Sequence, residues 1–257
     1  MNLCQRRQTT DADMSDDLRK RQLRRDAIAR RKTVTRQERD AAAAALAEHI
    51  VPLLDLVGVQ AGTSGVMSAP HGRGHRPPTV AAYVSMGSEI PMRPLLSLLL
   101  DRGLRVLVPR LGSGLDVGWA LLPDMVSLHG VTCEGTGMAQ RPDEPDTQTL
   151  GPAALGDADL IIVPALAVDA HGVRLGRGGG WYDRALTYRR GGVPVVAVCW
   201  PWECMADDLP PPVSRYPGRL GGHAAGSPTP VVRHPRKFAE GTKRDVERRG
   251  VRVTTRI

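Results

Sequence analysis

The chain has 257 residues, of which 41% are hydrophobic, so it is long enough to bury the core of one large or two small domains. It contains no run of 18 apolar residues and no apolar segment among its first twenty residues, which excludes the signals of a membrane span or a secretory leader and predicts a cytoplasmic protein. The formal charge of +8 lies wholly after residue 210, where eleven Lys and Arg stand against three acids, so it does not describe a generally basic surface.

Two helices are predicted between residues 16 and 53. This segment alternates charged and aliphatic positions, and its alanine run at residues 41–45 strongly favours a helix. We expect the first helix to end near residue 33, because Thr35 followed three residues later by Glu38 is the pattern of an N-terminal capping box.

Three segments lack the pattern of a packed element. Residues 1–15 are expected to be disordered, and residues 58–78, rich in Gly, Ser, Pro and His, are expected to form a flexible insertion. Residues 211–257 carry the whole charge excess without an apolar stripe, which predicts a basic, disordered tail. The folded domain is therefore expected to span residues 16–210.

From residue 79 the pattern changes to short β-rich runs separated by helical stretches. Continuous apolar strands that alternate with helices are typical of a parallel sheet covered on both faces. We therefore predict an α/β fold, a three-layer sandwich with a largely parallel, Rossmann-like sheet and N-terminal helices. The predicted strands are 79–85, 104–108, 117–122, 160–163 and 194–199, with a helix at 94–101.

A glycine-rich segment follows the predicted strand at 160–163. Four glycines within residues 176–180 let backbone N–H groups approach an anion, and Arg174 and Arg177 add positive charge beside them. Trp181 begins a predicted helix, whose N-terminus also favours phosphate. Because ligands of open parallel sheets collect at the carboxyl ends of strands, we expect this loop to bind a phosphorylated ligand. It matches neither a Walker A motif nor the usual dinucleotide fingerprint, and a flexible connector is the alternative.

Ten residues of this region also follow a longer pattern, in which Trp181 stands where an eleventh residue would be Tyr. These ten are Pro164, Asp169, Gly172, Arg174, Leu175, Gly176, Gly178, Gly180, Tyr182 and Asp183. The pattern resembles the signature of the 5-formyltetrahydrofolate cyclo-ligases, also called methenyltetrahydrofolate synthetases. Trp181 keeps an aromatic ring but lacks the phenol hydroxyl.

Two further segments resemble the same family in the expected order. Lys20 to Arg24 is similar to its N-terminal Lys-x-x-Leu-Arg, in which the Lys and the Arg contact ATP phosphates, and the i, i+4 spacing puts both on one helix face. Tyr83 to Glu89 is similar to the family's loop after the first strand, whose Glu lies in the folate site. The resemblance covers residues 18–210.

The resemblance implies a Mg²⁺- and ATP-dependent ligase that converts 5-formyltetrahydrofolate to 5,10-methenyltetrahydrofolate through a phosphorylated formyl group. Arg174 and Arg177 are its implied catalytic residues, since positive charge stabilises a transferring phosphoryl group. Asp183 is the implied Mg²⁺ ligand, and the implied substrate-binding residues are Met86, Glu89 and Trp181. The implied ATP-binding residues are Lys20, Arg21, Gln22, Leu23, Arg24, Arg174, Leu175, Gly176, Arg177, Gly178, Gly179, Gly180, Trp181 and Tyr182.

The chain departs from the family after Pro210, where the acidic and apolar closing segment is missing, and a shifted reading frame is one hypothesis for the atypical tail. Three functions stay open: the cyclo-ligase, a nucleotide-binding homologue without turnover, and nucleic-acid binding through the tail. The last is disfavoured because Tyr216 and Phe238 are the only aromatic residues after residue 210 that could stack on bases. We expect a monomer whose partners are 5-formyltetrahydrofolate and ATP, with no membrane partner.

Overall fold

The computed structural model describes residues 10–56, 59, 77–111, 116–132, 140–206, 208–210 and 252–256. The predicted flexible insertion at 58–78 lies outside the described residues except for residues 59, 77 and 78. Most of the predicted tail, residues 211–251 and residue 257, also lies outside them.

Two helices form the N-terminal part of the described chain, α1 (Thr10–Arg31) and α2 (Arg36–Leu56). The predicted capping box separates them: the Thr35 N–H donates to Glu38 Oε2 at 2.8 Å, and the Glu38 N–H donates to Thr35 Oγ1 at 3.2 Å. The helix α1 begins at Thr10, earlier than predicted, so residues 10–15 are helical rather than disordered.

Ten strands and two further helices, α3 (Arg93–Asp101) and α4 (Trp181–Ala185), follow along the described chain. Three short 3₁₀ helices span Pro152–Asp157, Leu186–Tyr188 and Pro201–Glu203. The strands are β1 (Thr79–Ala81), β2 (Arg105–Pro109), β3 (Trp119–Leu122), β4 (Leu128–His129), β5 (Glu144–Pro145), β6 (Leu160–Pro164), β7 (Ala167–Val168), β8 (Arg174–Leu175), β9 (Val195–Cys199) and β10 (Arg252–Arg256).

Six of these strands form one sheet in the order β10-β9-β6-β1-β2-β3. The four central strands are parallel, with Ala81 opposite both Leu107 and Ile161, while β3 and β10 add antiparallel edges. The prediction of a largely parallel sheet is confirmed. The two remaining strand pairs, β4 with β5 and β7 with β8, are antiparallel ribbons outside this sheet.

The core lies on both faces of the sheet because successive strand residues point to opposite sides. One face packs against α2 and α3, and the other packs against the 3₁₀ helix at Pro152–Asp157 and against α4. This arrangement confirms the three-layer sandwich and explains why the central strands are apolar throughout. The first face includes Val80, Val106, Ile162, Val196, Leu46 and Leu96; the second includes Ala81, Leu107, Ile161, Ala197, Leu155 and Trp181.

The edge strand β10 lies inside the segment predicted to be a disordered tail. It pairs with β9 from Arg252 opposite Cys199 to Arg256 opposite Val195. Without this pairing β9 would be an edge strand with a row of unpaired backbone N–H and C=O groups. Pairing with that edge, together with the β propensity of Val253, Thr254 and Thr255, favours a strand here despite the polar composition of the tail. Among the described residues, no helix is both long and apolar enough to cross a membrane.

The sheet order sets the position of the site. Strand β1 lies between β2 and β6, so the sheet continues from β2 to β3 on one side of β1 and from β6 to β9 on the other side. In open parallel sheets the crevice at such a reversal, at the carboxyl ends of the strands, is where ligands bind. The loops after β1 and β6 are therefore the expected ligand-binding loops.

Candidate active site

Three segments meet at the carboxyl edge of the sheet. The first is the turn at residues 85–89 after β1, the second is the glycine loop at residues 176–180, which follows the β7–β8 ribbon after β6, and the third is the 3₁₀ turn Pro201–Glu203 after β9. The first two segments carry Met86 and Glu89 and the five loop residues 176–180 that were predicted for the site.

Arg174 lies beneath the glycine loop with its side chain only 5% exposed. Its Nη2 donates to Asp183 Oδ1 at 2.7 Å, and its Nη1 donates to the Pro164 carbonyl at 3.2 Å. The guanidinium also lies 5.6 Å from the ring centre of Tyr182. These contacts hold the cation in one orientation at the base of the loop.

Glycine is required in the loop for two physical reasons. Gly178 and Gly180 have φ of +105° and +65°, a region that residues with side chains rarely adopt. A Cβ at Gly176 would lie 2.7 Å from Nη1 of Arg174, so a side chain there would displace the guanidinium. The following helix α4 has only five residues and aligns few peptide dipoles, so the positive charge of the loop comes mainly from its arginines.

Arg177 joins the glycine loop to the turn after β1. Its Nε lies 3.2 Å from Glu89 Oε1, and Glu89 Oε2 accepts the N–H of Met86 at 2.8 Å. The carboxylate is buried while 42% of the arginine side chain is exposed. The structure therefore brings together Glu89, Met86 and Arg177, which were predicted for different ligands.

Helix α1 contacts the loop through Arg24, whose Nε donates to the Gly176 carbonyl at 2.9 Å. Lys20 is 6% exposed on the same side of the helix. Leu23 packs against an apolar cluster that includes Leu175. The two other residues predicted to bind ATP from this helix, Arg21 and Gln22, are exposed, and Gln22 donates to Asp26 Oδ1 of its own helix at 2.7 Å.

The two aromatic residues after the loop belong to the core. Trp181 is 8% exposed, its Nε1–H donates to the Asp116 carbonyl at 2.9 Å, and its ring meets Trp119 edge-on at 5.2 Å. Burial, reinforced by the charge of Glu89, raises the pKa of the Tyr182 phenol despite the opposing charge of Arg174. Both side chains thus support the loop from behind.

Asp183, the predicted Mg²⁺ ligand, is 69% exposed and paired with Arg174. Within the part of the chain that is described, no three His, Cys, Asp or Glu side chains cluster closely enough to hold a metal ion. Mg²⁺ in nucleotide sites is commonly held by one or two carboxylates together with substrate phosphates. The exposed carboxylate of Asp183 beside the glycine loop fits that mode of binding. The described residues do not offer a metal site built from protein ligands alone.

Three buried polar side chains near the site, Asp169, Arg31 and Glu203, had no predicted role. Asp169 Oδ1 accepts the N–H groups of His171 and Val173, both at 2.9 Å, and its Oδ2 accepts the Leu209 N–H at 3.0 Å, so this signature residue fastens the β7–β8 ribbon. Arg31 and Glu203 form a buried ion pair with an Nε to Oε1 distance of 2.6 Å. In the sequence, Arg31 could have been recognised by its spacing, because on a helix it lies on the same face as Lys20 and Arg24.

The fold and the site together define a class: a three-layer α/β protein with an arginine-bearing glycine loop at the reversal point of its parallel sheet. The chain belongs to the 5-formyltetrahydrofolate cyclo-ligase family. The family model matches residues 72–207, more than half of the chain, which confirms the resemblance seen in the sequence. The matched residues contain the glycine loop and Glu89, whereas α1 precedes them.

Related proteins agree with this assignment. The chain is 40% identical over 139 residues to the 5-formyltetrahydrofolate cyclo-ligase of Mycolicibacterium smegmatis, a match that covers 51% of this chain and 66% of that protein. It is 30% identical over 139 residues to the enzyme of the same name from Escherichia coli K12, covering 51% of this chain and 67% of that protein. The chain thus matches about two thirds of the length of these relatives.

Two solved structures share the fold. A 5,10-methenyltetrahydrofolate synthetase from Aquifex aeolicus has a TM-score of 0.55 at 22% identity, covering 82% of this chain and 87% of that one. A synthetase of the same kind from Mycoplasma pneumoniae has a TM-score of 0.50 at 17% identity, covering 75% and 92%. At these identities the comparison concerns the fold, and it confirms the α/β architecture predicted from the sequence.

Proposed function

We propose that this chain catalyses the ATP- and Mg²⁺-dependent conversion of 5-formyltetrahydrofolate to 5,10-methenyltetrahydrofolate. One observation carries the proposal: the 3.2 Å contact between Arg177 Nε and Glu89 Oε1 joins the loop expected to bind phosphate to the turn expected to bind folate. The reaction needs those two substrates in contact, because the phosphoryl group passes from one to the other.

In the proposed reaction the formyl oxygen attacks the terminal phosphorus of ATP, and ADP leaves. The other folate nitrogen then attacks the activated formyl carbon and loses its proton to solvent, and the C–O bond breaks to release phosphate. Negative charge moves between phosphate oxygens throughout, so fixed cations at the transferred group are the useful catalytic parts.

Arg174 and Arg177 are suited to different parts of that task. Arg174 is buried and held by Asp183 and the Pro164 carbonyl, so it offers a cation whose position does not change during the reaction. Arg177 is partly exposed and can exchange its contact with Glu89 for a phosphate oxygen. Backbone N–H groups of residues 176–180 supply further donors to the phosphates.

Glu89 is the proposed folate-binding residue, because its buried carboxylate can accept hydrogen bonds from N–H groups of a pterin ring. Met86, on the same turn, offers an adjacent apolar surface. Trp181, whose indole is buried against Trp119, contributes by supporting the glycine loop, so we propose a structural contribution to substrate binding for it.

Asp183 and helix α1 complete the proposed nucleotide site. A Mg²⁺ ion held by Asp183 and the ATP phosphates would neutralise phosphate charge. Lys20 and Arg24 share one face of α1, and the contact of Arg24 with the Gly176 carbonyl supports a place for both beside the phosphates. Arg21 and Gln22 are exposed, which supports only a peripheral contribution, while Leu23 and Leu175 support the site through their shared apolar cluster.

The test is to supply the purified full chain with 5-formyltetrahydrofolate, ATP and Mg²⁺ and to follow the near-ultraviolet absorbance of the methenyl product. We expect product formation that depends on both ATP and Mg²⁺, with phosphate released in equal amount. Binding of both substrates without product would identify a homologue without turnover. Failure to bind either substrate would refute the proposal, and binding of a short nucleic acid by the same preparation would support the tail-based alternative if it weakened steeply with salt.

A further inference from the structure

The buried face of α1 is basic rather than apolar. Lys20, Arg24 and Arg31 lie within about 40° of one another around the helix axis, since residues 4 and 11 apart return to nearly the same side. Lys20 is 6% and Arg31 is 2% exposed, and buried Ala27 lies between them. A helix normally turns its apolar stripe inward, so three cations on the inward face call for a specific explanation.

Arg31 is held by a forked set of hydrogen bonds. Its Nε donates to Glu203 Oε1 at 2.6 Å, and its Nη2 donates to Glu203 Oε2 at 2.7 Å and to the Ala165 carbonyl at 2.5 Å. Glu203 Oε2 also accepts the Trp200 N–H at 2.8 Å. The last turn of α1 is thereby bound to the segments that leave β6 and β9.

Both side chains act in their charged forms. Burial alone would lower the pKa of Arg31, but the hydrogen bonds and charge of Glu203 outweigh burial and raise it. Burial raises the pKa of Glu203 more than Arg31 lowers it, which on its own favours protonation. The hydrogen-bond geometry favours the charged form of Glu203. All three of these contacts are with N–H donors, and a carboxylate can accept from all of them.

We propose that Arg31 and Glu203 are positioning residues for ATP. The pair fixes the rotation and height of α1 on the sheet edge, and α1 in turn presents Arg24 and Lys20, about 10 and 16 Å further along its axis, to the glycine loop. A bidentate ion pair fixes two atoms of Arg31 and so resists rotation of α1 about its axis. A single apolar contact would not resist that rotation. This inference rests on the proposed role of Lys20 and Arg24 in ATP binding.

A positioning role and a merely stabilising role differ in which substrate they affect. The Glu89 carboxylate is held by the Met86 N–H within the turn after β1, and Arg174 is held by Pro164 and Asp183, so these hydrogen bonds of the folate side and of Arg174 do not involve α1. Loosening α1 should therefore weaken ATP binding selectively. A general loss of stability would affect both substrates alike.

The experiment uses Glu203→Gln and Arg31→Lys in the full chain. Glutamine keeps the shape of the side chain but turns one acceptor into a donor facing Arg31, and lysine keeps the charge but lacks the fork. We expect KM for ATP to rise roughly tenfold or more in both variants, while KM for folate and kcat change by less than about twofold. Arg190→Gln is the matched control, because Arg190 pairs with Asp159 at 3.1 Å at the opposite end of the sheet.

A double variant, Arg31→Met with Glu203→Met, separates stability from position. Replacing both members of a buried ion pair by apolar residues usually restores stability that the single replacements lose. We expect its melting temperature to recover while KM for ATP stays raised, because two methionines pack without fixing the rotation of the helix. Recovery of KM together with melting temperature, or a parallel rise of both KM values in the single variants, would overturn the proposal.

Hydrogen exchange without ligands tests the positioning independently of catalysis. Glu203→Gln should speed amide exchange in α1 and leave α3 unchanged, whereas unchanged exchange in α1 would refute the proposal. If the unaltered protein forms no methenyl product, the proposed function fails while the exchange result still decides whether the ion pair holds α1.

Discussion

Gly176→Ala places one methyl group against the buried guanidinium of Arg174 in the proposed active site. The new Cβ would lie 2.7 Å from Arg174 Nη1, which is closer than Cβ atoms approach non-bonded atoms in proteins. Either the loop backbone or the Arg174 side chain must therefore shift. The group it meets is the end of a flexible side chain, and the fold can yield at small cost. Any movement of Arg174, however, disturbs its bonds to Asp183 Oδ1 at 2.7 Å and to the Pro164 carbonyl at 3.2 Å.

The expected effect is large on turnover and small on stability. A displacement of about 1 Å in a catalytic group costs roughly 10²-fold in rate, which corresponds to about 2.7 kcal/mol. The measurement is kcat from methenyl absorbance at saturating ATP and folate, alongside the melting temperature.

Gly191→Ala is the control, because Gly191 lies on the surface and no atom lies within 4 Å of a Cβ built there. It should keep normal kcat and melting temperature. The reasoning is refuted if Gly176→Ala turns over as fast as Gly191→Ala, or if its activity falls only in step with unfolding. Either result would mean that the contact between Gly176 and Arg174 has no part in placing the cation.

Three further outcomes are expected. Arg174→Ala should lower kcat by about 10²–10³-fold with an intact circular dichroism spectrum, since it removes a fixed cation from the transferring phosphoryl group. Asp183→Asn should chiefly raise the Mg²⁺ concentration needed for half-maximal activity, and normal turnover of both variants at limiting Mg²⁺ would place the site elsewhere. Burial and the charge of Glu89 raise the pKa of both Tyr83 and Tyr182, so their stability contribution is intact below pH 10 and is lost as pH rises above it. At about pH 11 the native protein should therefore show less tyrosinate absorbance than the unfolded chain, and equal absorbance would contradict the burial argument.

Local patterns predicted most of the described fold. The capping pair Thr35 and Glu38 marked the start of α2, and apolar runs located the central strands to within a few residues. Several elements were not anticipated, namely the short strands β4, β5, β7 and β8, the three 3₁₀ helices, the first turns of α1 and the edge strand β10. The first turns of α1 are polar, and β10 lies in a basic segment, so neither carries the apolar periodicity on which such predictions depend.

For the candidate site, the sequence predicted a set of residues, which stays a prediction, but not the contacts between them. The signature located Arg174, Asp183 and the glycines, and Glu89 was expected at the same sheet edge. Their pairing was not predicted: Asp183 holds Arg174, and Glu89 holds Arg177. Ion pairs between residues 88 positions apart depend on the order of strands, which residue types and spacing do not specify.

What the sequence by itself determined was the class of fold and the identity of the glycine loop, because helix periods, capping residues and a local motif act over a few neighbouring positions. Only the tertiary structure decided that the buried face of α1 is basic, that Arg31 is bound to Glu203, and that Trp181 supports the loop from the core. The physical reason is desolvation. A charged side chain on a helix is ordinarily left in water, and whether it is instead buried depends on a partner from a distant strand that offsets the loss of hydration.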